Sequence, residues 1–175
     1  MEQTVTTTTT KGVVIGLILI VLALVTYFAH IKPNGPVQWI GYAIFIGGII
    51  WSVYSYGKQI NYNSTFGNYF AHGFKVSALV TSLLIIYLII FIVLFPDFKE
   101  NAMDEARKAM QEKNNLTPEQ ISQGLEITRK FFMVFLVGGT LIGYLIFGSL
   151  ASLIGAAITK KEPNKFVEEV NQIGQ

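Results

Sequence analysis

The side chains that could carry chemistry in this chain are two histidines, a group of carboxylates and a scatter of hydroxyls. The histidines, His30 and His72, raise the question of a metal. Neither sits in a pattern such as HExxH, and the topology derived below puts them on opposite membrane faces, so no metal ligand set is predicted. Glu100, Asp104, Glu105, Glu112, Glu119 and Glu126 could do acid–base work, yet they are interleaved with lysine and arginine in one polar segment, the pattern of a solvated helix face. Catalysis needs such groups paired in a pocket, and no pairing is visible, so no catalytic residue and no enzyme activity are predicted. The chain has no cysteine, which excludes thiolate catalysis, disulfides and zinc–sulfur sites. No cofactor is expected.

A transporter would place polar or ionisable groups at membrane depth. The candidates are Thr26, Ser52, Ser77, Thr81, Ser82, Thr140, Ser149 and Ser152, all uncharged, and such groups mostly hydrogen-bond to a backbone carbonyl or a neighbouring helix. The glycines point to packing. Gly12 and Gly16 form one GxxxG, Gly139 and Gly143 another, and Gly148 with Ser152 and Ala151 with Gly155 extend the small-residue spacing that lets helix backbones approach in lipid.

These residues are positioned by four apolar runs. Half the chain is hydrophobic (51%) and only 14% is charged, against about a quarter charged in ordinary soluble domains. The net charge of +2 is too small and dispersed for nucleic acid. After a polar, threonine-rich tail over 1–11, the first run covers 12–29. Its eighteen residues span about 27 Å as a helix, near the hydrocarbon thickness. Its twelve Leu, Ile, Val and Phe residues favour insertion by about 5 kcal/mol. The run is too long for a cleaved leader and no small-x-small site follows it, which predicts a retained span. A turn at His30–Pro36 leads to a second span, 37–56, with Trp39 and Trp51 near its ends as in an interfacial belt.

Gly57–Lys75, rich in aromatic and polar residues, reads as the link to the third span, 74–95. Phe66, Tyr69, Phe70 and Phe74 are expected at headgroup level, with Ser64 or Thr65 as a helix cap. His72 reads there as an interfacial polar residue. Residues 97–130 form a polar helical hairpin. Its first helix carries an apolar stripe of Phe98, Ala102, Met103, Ala106 and Met110, with Asp104 placed to pair with Lys108. Asn114 and Asn115 break it. Thr117-Pro118-Glu119-Gln120 restarts a helix with a capping box, and nothing stops that helix before the fourth span, 131–158. Residues 162–175 form a short amphipathic tail, with Phe166, Val170 and Ile173 at helical spacing. The fold class is therefore all-α membrane protein, one four-helix transmembrane domain over 12–161. Basic residues are nearly balanced between the two faces. The compact polar loop can be translocated as a unit while short basic flanks resist, which puts both termini in the cytoplasm.

Several of these motifs occur together. A connector of the form S-T-F-G-x-x-F-x-x-G-F-K (Ser64–Lys75) opens the third span, and Pro96-Asp97-Phe98 begins a hairpin that continues through Met103, Ala106, Arg107, Met110 and the Leu116–Ile121 restart to Phe131. A glycine-rich last span ends in Lys160-Lys161. The chain resembles the bacterial domain-of-unknown-function 4199 family over about Lys11 to Lys161. The resemblance implies a four-helix inner-membrane protein and brings no activity, cofactor or catalytic residue. The function expected is a non-enzymatic membrane subunit or accessory protein that binds a membrane or periplasmic protein partner through the hairpin. Partners are the lipid bilayer, that protein and a second copy of the chain, with no nucleic acid. A small oligomeric channel or carrier is the alternative, and a lipid-acting enzyme the third.

Overall fold

The computed structural model describes residues 7–31, 36–112 and 116–159. Among them are six α-helices and no strand: α1 (Thr8–Phe28), α2 (Pro36–Gln59), α3 (Phe66–Leu94), α4 (Asp97–Gln111), α5 (Pro118–Lys130) and α6 (Phe132–Ile158). Helices α1, α2, α3 and α6 are long and apolar enough to cross a membrane, the pattern of a multi-pass membrane protein. The expected tail over 162–175 and the Asn114-Asn115 break lie outside the described residues.

Helix boundaries differ from the sequence expectation where capping chemistry decides them. Thr7 caps α1, its hydroxyl accepting from the Thr10 amide, so Thr8–Lys11 are helical rather than tail. At the far end His30 has φ 52°, and the Ile31 amide reaches back to the Thr26 carbonyl while the His30 amide bonds Tyr27. This is the left-handed helix stop usually given to glycine, and His30 serves as a chain terminator. The link between α2 and α3 is only residues 60–65, not Gly57–Lys75. Asn61 and Tyr62 both adopt positive φ (52° and 59°), and the Tyr62 amide bonds the Gly57 carbonyl at 2.7 Å. Thr65 then caps α3, its hydroxyl accepting from the Asn68 amide. Helix α3 therefore begins at the expected Thr65 cap, eight residues before the apolar span read from Phe74. Its 29 residues rise about 43 Å, more than a bilayer core requires.

The chain divides into two compact units. One takes in α1, α2, α3 up to Leu83 and α6 from Tyr144. Its core is built from helical stripes: Ile15 and Leu19 of α1, Phe45, Ile49 and Val53 of α2, Tyr69, Val76 and Val80 of α3, and Ala151 and Ala156 of α6, all buried. Glycines set the approach distances. A Cβ on Gly12 would stand 2.6 Å from Leu79, one on Gly16 2.9 Å from Leu83, and one on Gly48 3.0 Å from Ile15. Gly73 lies under Ser152 and Val53, Gly148 against the Ser77 hydroxyl, and Gly155 against Val53. Phe45 meets Tyr144 edge-on at 4.7 Å.

The second unit is Leu84–Gly143. Pro96 ends α3, and α4 starts at once with Asp97 and Glu100 in its first turn, where the helix dipole favours negative charge. The expected stripe of Phe98, Ala102, Met103, Ala106 and Met110 is the face that α4 covers, with Met103 buried. The Thr117–Gln120 capping box is present in both directions, Thr117 hydroxyl to Gln120 amide at 3.3 Å and Gln120 Oε1 to Thr117 amide at 2.9 Å. Helices α4 and α5 touch through Met110 and Gly124 and through an ion pair from Arg129 to Glu100 at 2.6 Å. Among the described residues the ion pair is this one and not Asp104–Lys108, since a same-helix exposed pair is worth only a few tenths of a kcal/mol. The restart helix does not run on unbroken. Phe131 (φ −104°, ψ 18°) interrupts it before α6.

Candidate functional site

Two places gather polar groups. The first is inside the α1–α2–α3 packing of the first unit. Lys11 is 2% exposed, Ser52 0% and His72 7%. Because α1 starts at Thr8, Thr8 and Lys11 lie one turn apart on one helix face. The Lys11 ammonium donates to the Ser52 carbonyl oxygen at 3.3 Å. The Ser52 hydroxyl meets His72 Nε2 at 3.2 Å, and the Thr8 hydroxyl meets His72 Nδ1 at 3.4 Å. In the neutral ring one nitrogen donates and the other accepts, and a hydroxyl can serve either. Tyr56 stacks flat on the imidazole, centroids 4.2 Å apart and planes within 4°. One histidine thus ties three helices together, by hydrogen bonds to α1 and α2 and by stacking on α2.

The sequence reads His72 as an interfacial group and Lys11 as a flank of the first span. Both are buried, because α1 and α3 each begin earlier than hydropathy suggested. Their contacts are 41, 20 and 64 residues away in the chain, so no local pattern could reveal them. The partial signal was compositional: His72 lies in a stretch of helix-compatible spacing preceded by Thr65, a cap that moves the helix start upstream. His30 follows the other end of α1, about 30 Å away along the axis, so the two histidines belong to different places.

Other expected site residues fall as follows. Gly12, Gly16, Gly148, Ser152 and Gly155 all stand at close approaches. At Gly139 and Gly143 a Cβ would meet nothing within 4 Å, so within the single chain the close approaches are at the other five positions. GxxxG spacing makes a notch, and only a neighbouring helix fills it. Tyr69 is corrected, being 0% exposed and packed with Val53 and Ala156, while Phe70 is partly buried against them. Trp39, Trp51, Phe66 and Phe74 are exposed, at 73%, 55%, 37% and 37%. Of the span hydroxyls, Thr26, Thr81, Ser82, Thr140, Ser149 and Ser152 donate to a carbonyl three or four residues back in their own helix. Ser52 goes to His72, and the Ser77 hydroxyl is buried without a partner among the described residues.

The second place is in the other unit, an open groove of about 800 Å³ between α4 and α5. Apolar Met103, Ile121 and Leu125 line it together with charged Asp104, Arg107 and Glu126. No group of three or more metal-ligating side chains occurs among the described residues.

No curated protein and no solved structure matches the chain. The family model described as "Protein of unknown function (DUF4199)" matches residues 10–161, which covers every helix described here except the first two residues of α1, and the chain belongs to that family.

Proposed function

We propose that this protein is a non-enzymatic subunit or accessory protein of a bacterial inner membrane. In this reading α1, α2, α3 and α6 span the bilayer, both termini are cytoplasmic, and α4 with α5 forms a polar hairpin on the opposite face that binds a protein partner. The observation that carries it is the α4–α5 groove, where apolar Met103, Ile121 and Leu125 share one open surface with charges of both signs. Apolar anchors inside a charged rim are what a protein interface uses for affinity and for choice of partner.

The test is a photo-crosslinking amino acid at Ser122, in the groove, compared with one at Lys108 on the exposed side of α4. Irradiation of native membranes should give a protein adduct of defined mass from position 122 and none from 108. Adducts to lipid or to the chain itself alone, from both positions, would refute the partner. The channel or carrier reading has less support, since most of the span hydroxyls that would line a path donate to their own helix backbone.

A further inference from the structure

The Lys11 cluster is not explained by the hairpin. An ammonium carries three N–H donors, and among the described residues Lys11 places one, on the Ser52 carbonyl. A buried charge is retained when it is paired, and among the described residues no carboxylate pairs with Lys11. No Asp or Glu occurs between Glu2 and Asp97, nor between Glu126 and Glu162. Around Lys11 the Ser52 carbonyl is the acceptor, and the Thr8 and Ser52 hydroxyls and the His72 ring that complete the cluster carry no negative charge. Lys58 lies six residues beyond Ser52 and Lys75 three beyond His72, both exposed, so that positive charge at this end of the unit has no opposing carboxylate among the described residues. Thr8 is half-buried and Thr7, Thr9 and Thr10 are exposed, which leaves the site one helical turn from the surface.

We propose that Lys11 and Thr8, backed by the Ser52–His72 pair, form a binding site for a singly charged phosphate, the phosphodiester of an anionic phospholipid headgroup. The remaining donors of the Lys11 ammonium and the adjacent Thr8 hydroxyl suit a group with more than one free oxygen, and phosphodiesters are the anions present wherever a membrane span reaches the headgroup layer. Lysine can leave the Ser52 carbonyl and extend along its own stem to meet the headgroup. The site belongs to the first unit and does not depend on a partner at α4–α5.

The full-length protein, reconstituted in phosphatidylcholine nanodiscs doped with phosphatidylglycerol and then re-extracted in mild detergent, should retain phosphatidylglycerol above its bulk share, measured by mass spectrometry. Lys11→Gln should lower that enrichment about tenfold, the loss of one charge-assisted hydrogen bond. Lys11→Arg should keep it, and Lys58→Gln, at an exposed lysine, should leave it within about twofold of wild type. Thr8→Val keeps Lys11 and removes one donor, and an intermediate loss is expected there even where Lys11→Gln does not fold. Added inorganic phosphate should not displace the lipid. Equal enrichment in wild type, Lys11→Gln and Thr8→Val would overturn the site, and displacement by inorganic phosphate would overturn the lipid as its occupant.

Discussion

Substitution of Gly73 by alanine tests the packing of the first unit directly. The new Cβ would stand 2.7 Å from both the Ser152 hydroxyl oxygen and Val53 Cγ2, and 2.9 Å from Ser152 Cβ. Comfortable contact begins near 3.5 Å, so α3 must move from α2 and α6 by about 0.8 Å, or both neighbours must change rotamer. Val53 is β-branched and fully buried, and the Ser152 hydroxyl is held by the Gly148 carbonyl at 2.6 Å, so neither turns away at little cost. Overpacking of this kind costs about 1–3 kcal/mol, while alanine returns up to about 1 kcal/mol of helix propensity. The net expectation is a loss of about 1–2 kcal/mol, roughly a tenfold rise in the unfolded-to-folded ratio at the wild-type midpoint of a reversible unfolding titration in mixed micelles. Gly139→Ala is the control. With nothing within 4 Å of its Cβ it should be neutral or stabilising by up to about 1 kcal/mol. Tryptophan fluorescence would follow the transition. If Gly73→Ala proved as stable as wild type while Gly139→Ala lost stability, the assignment of close approaches would be wrong.

Replacing His72 by alanine leaves Ser52 and Thr8 without their shared partner and Tyr56 without its stacked ring. A loss of about 2–4 kcal/mol is expected in the same titration, with His72→Phe recovering the stacking part of it. Thr117→Ala removes the acceptor half of the capping box and should cost about 1 kcal/mol, read as reduced amide-exchange protection confined to the first turn of α5. Breaking the Glu100–Arg129 pair by Glu100→Gln should change stability by less than about 1 kcal/mol, because both side chains are more than half exposed, at 62% and 59%. In the natively cysteine-free chain, an impermeant maleimide should label Lys108→Cys in intact cells and Thr10→Cys only after permeabilisation; the opposite pattern would invert the proposed orientation.

The four long helices, the α4 stripe and the Thr117 capping box could be read from the sequence because each rests on neighbours within a few residues. Transfer energy adds up along a run, amphipathic spacing repeats every turn, and a cap closes within one turn. Of the helix starts, the Thr65 cap of α3 was legible and the Thr7 cap of α1 was not. Thr7 and Thr65 each lengthen a helix backwards past the point where hydropathy falls, and it is this that draws Lys11 and His72 inside. What only the tertiary structure decided is which of several equivalent-looking residues meet a neighbour. Gly12 and Gly139 begin the same GxxxG motif, yet Leu79 closes over the first and open space faces the second. His72 likewise has the composition of an interfacial residue until Thr8, Ser52 and Tyr56 arrive from other helices. A motif specifies the shape of one surface, and burial depends on a second surface that the chain brings to it from far away.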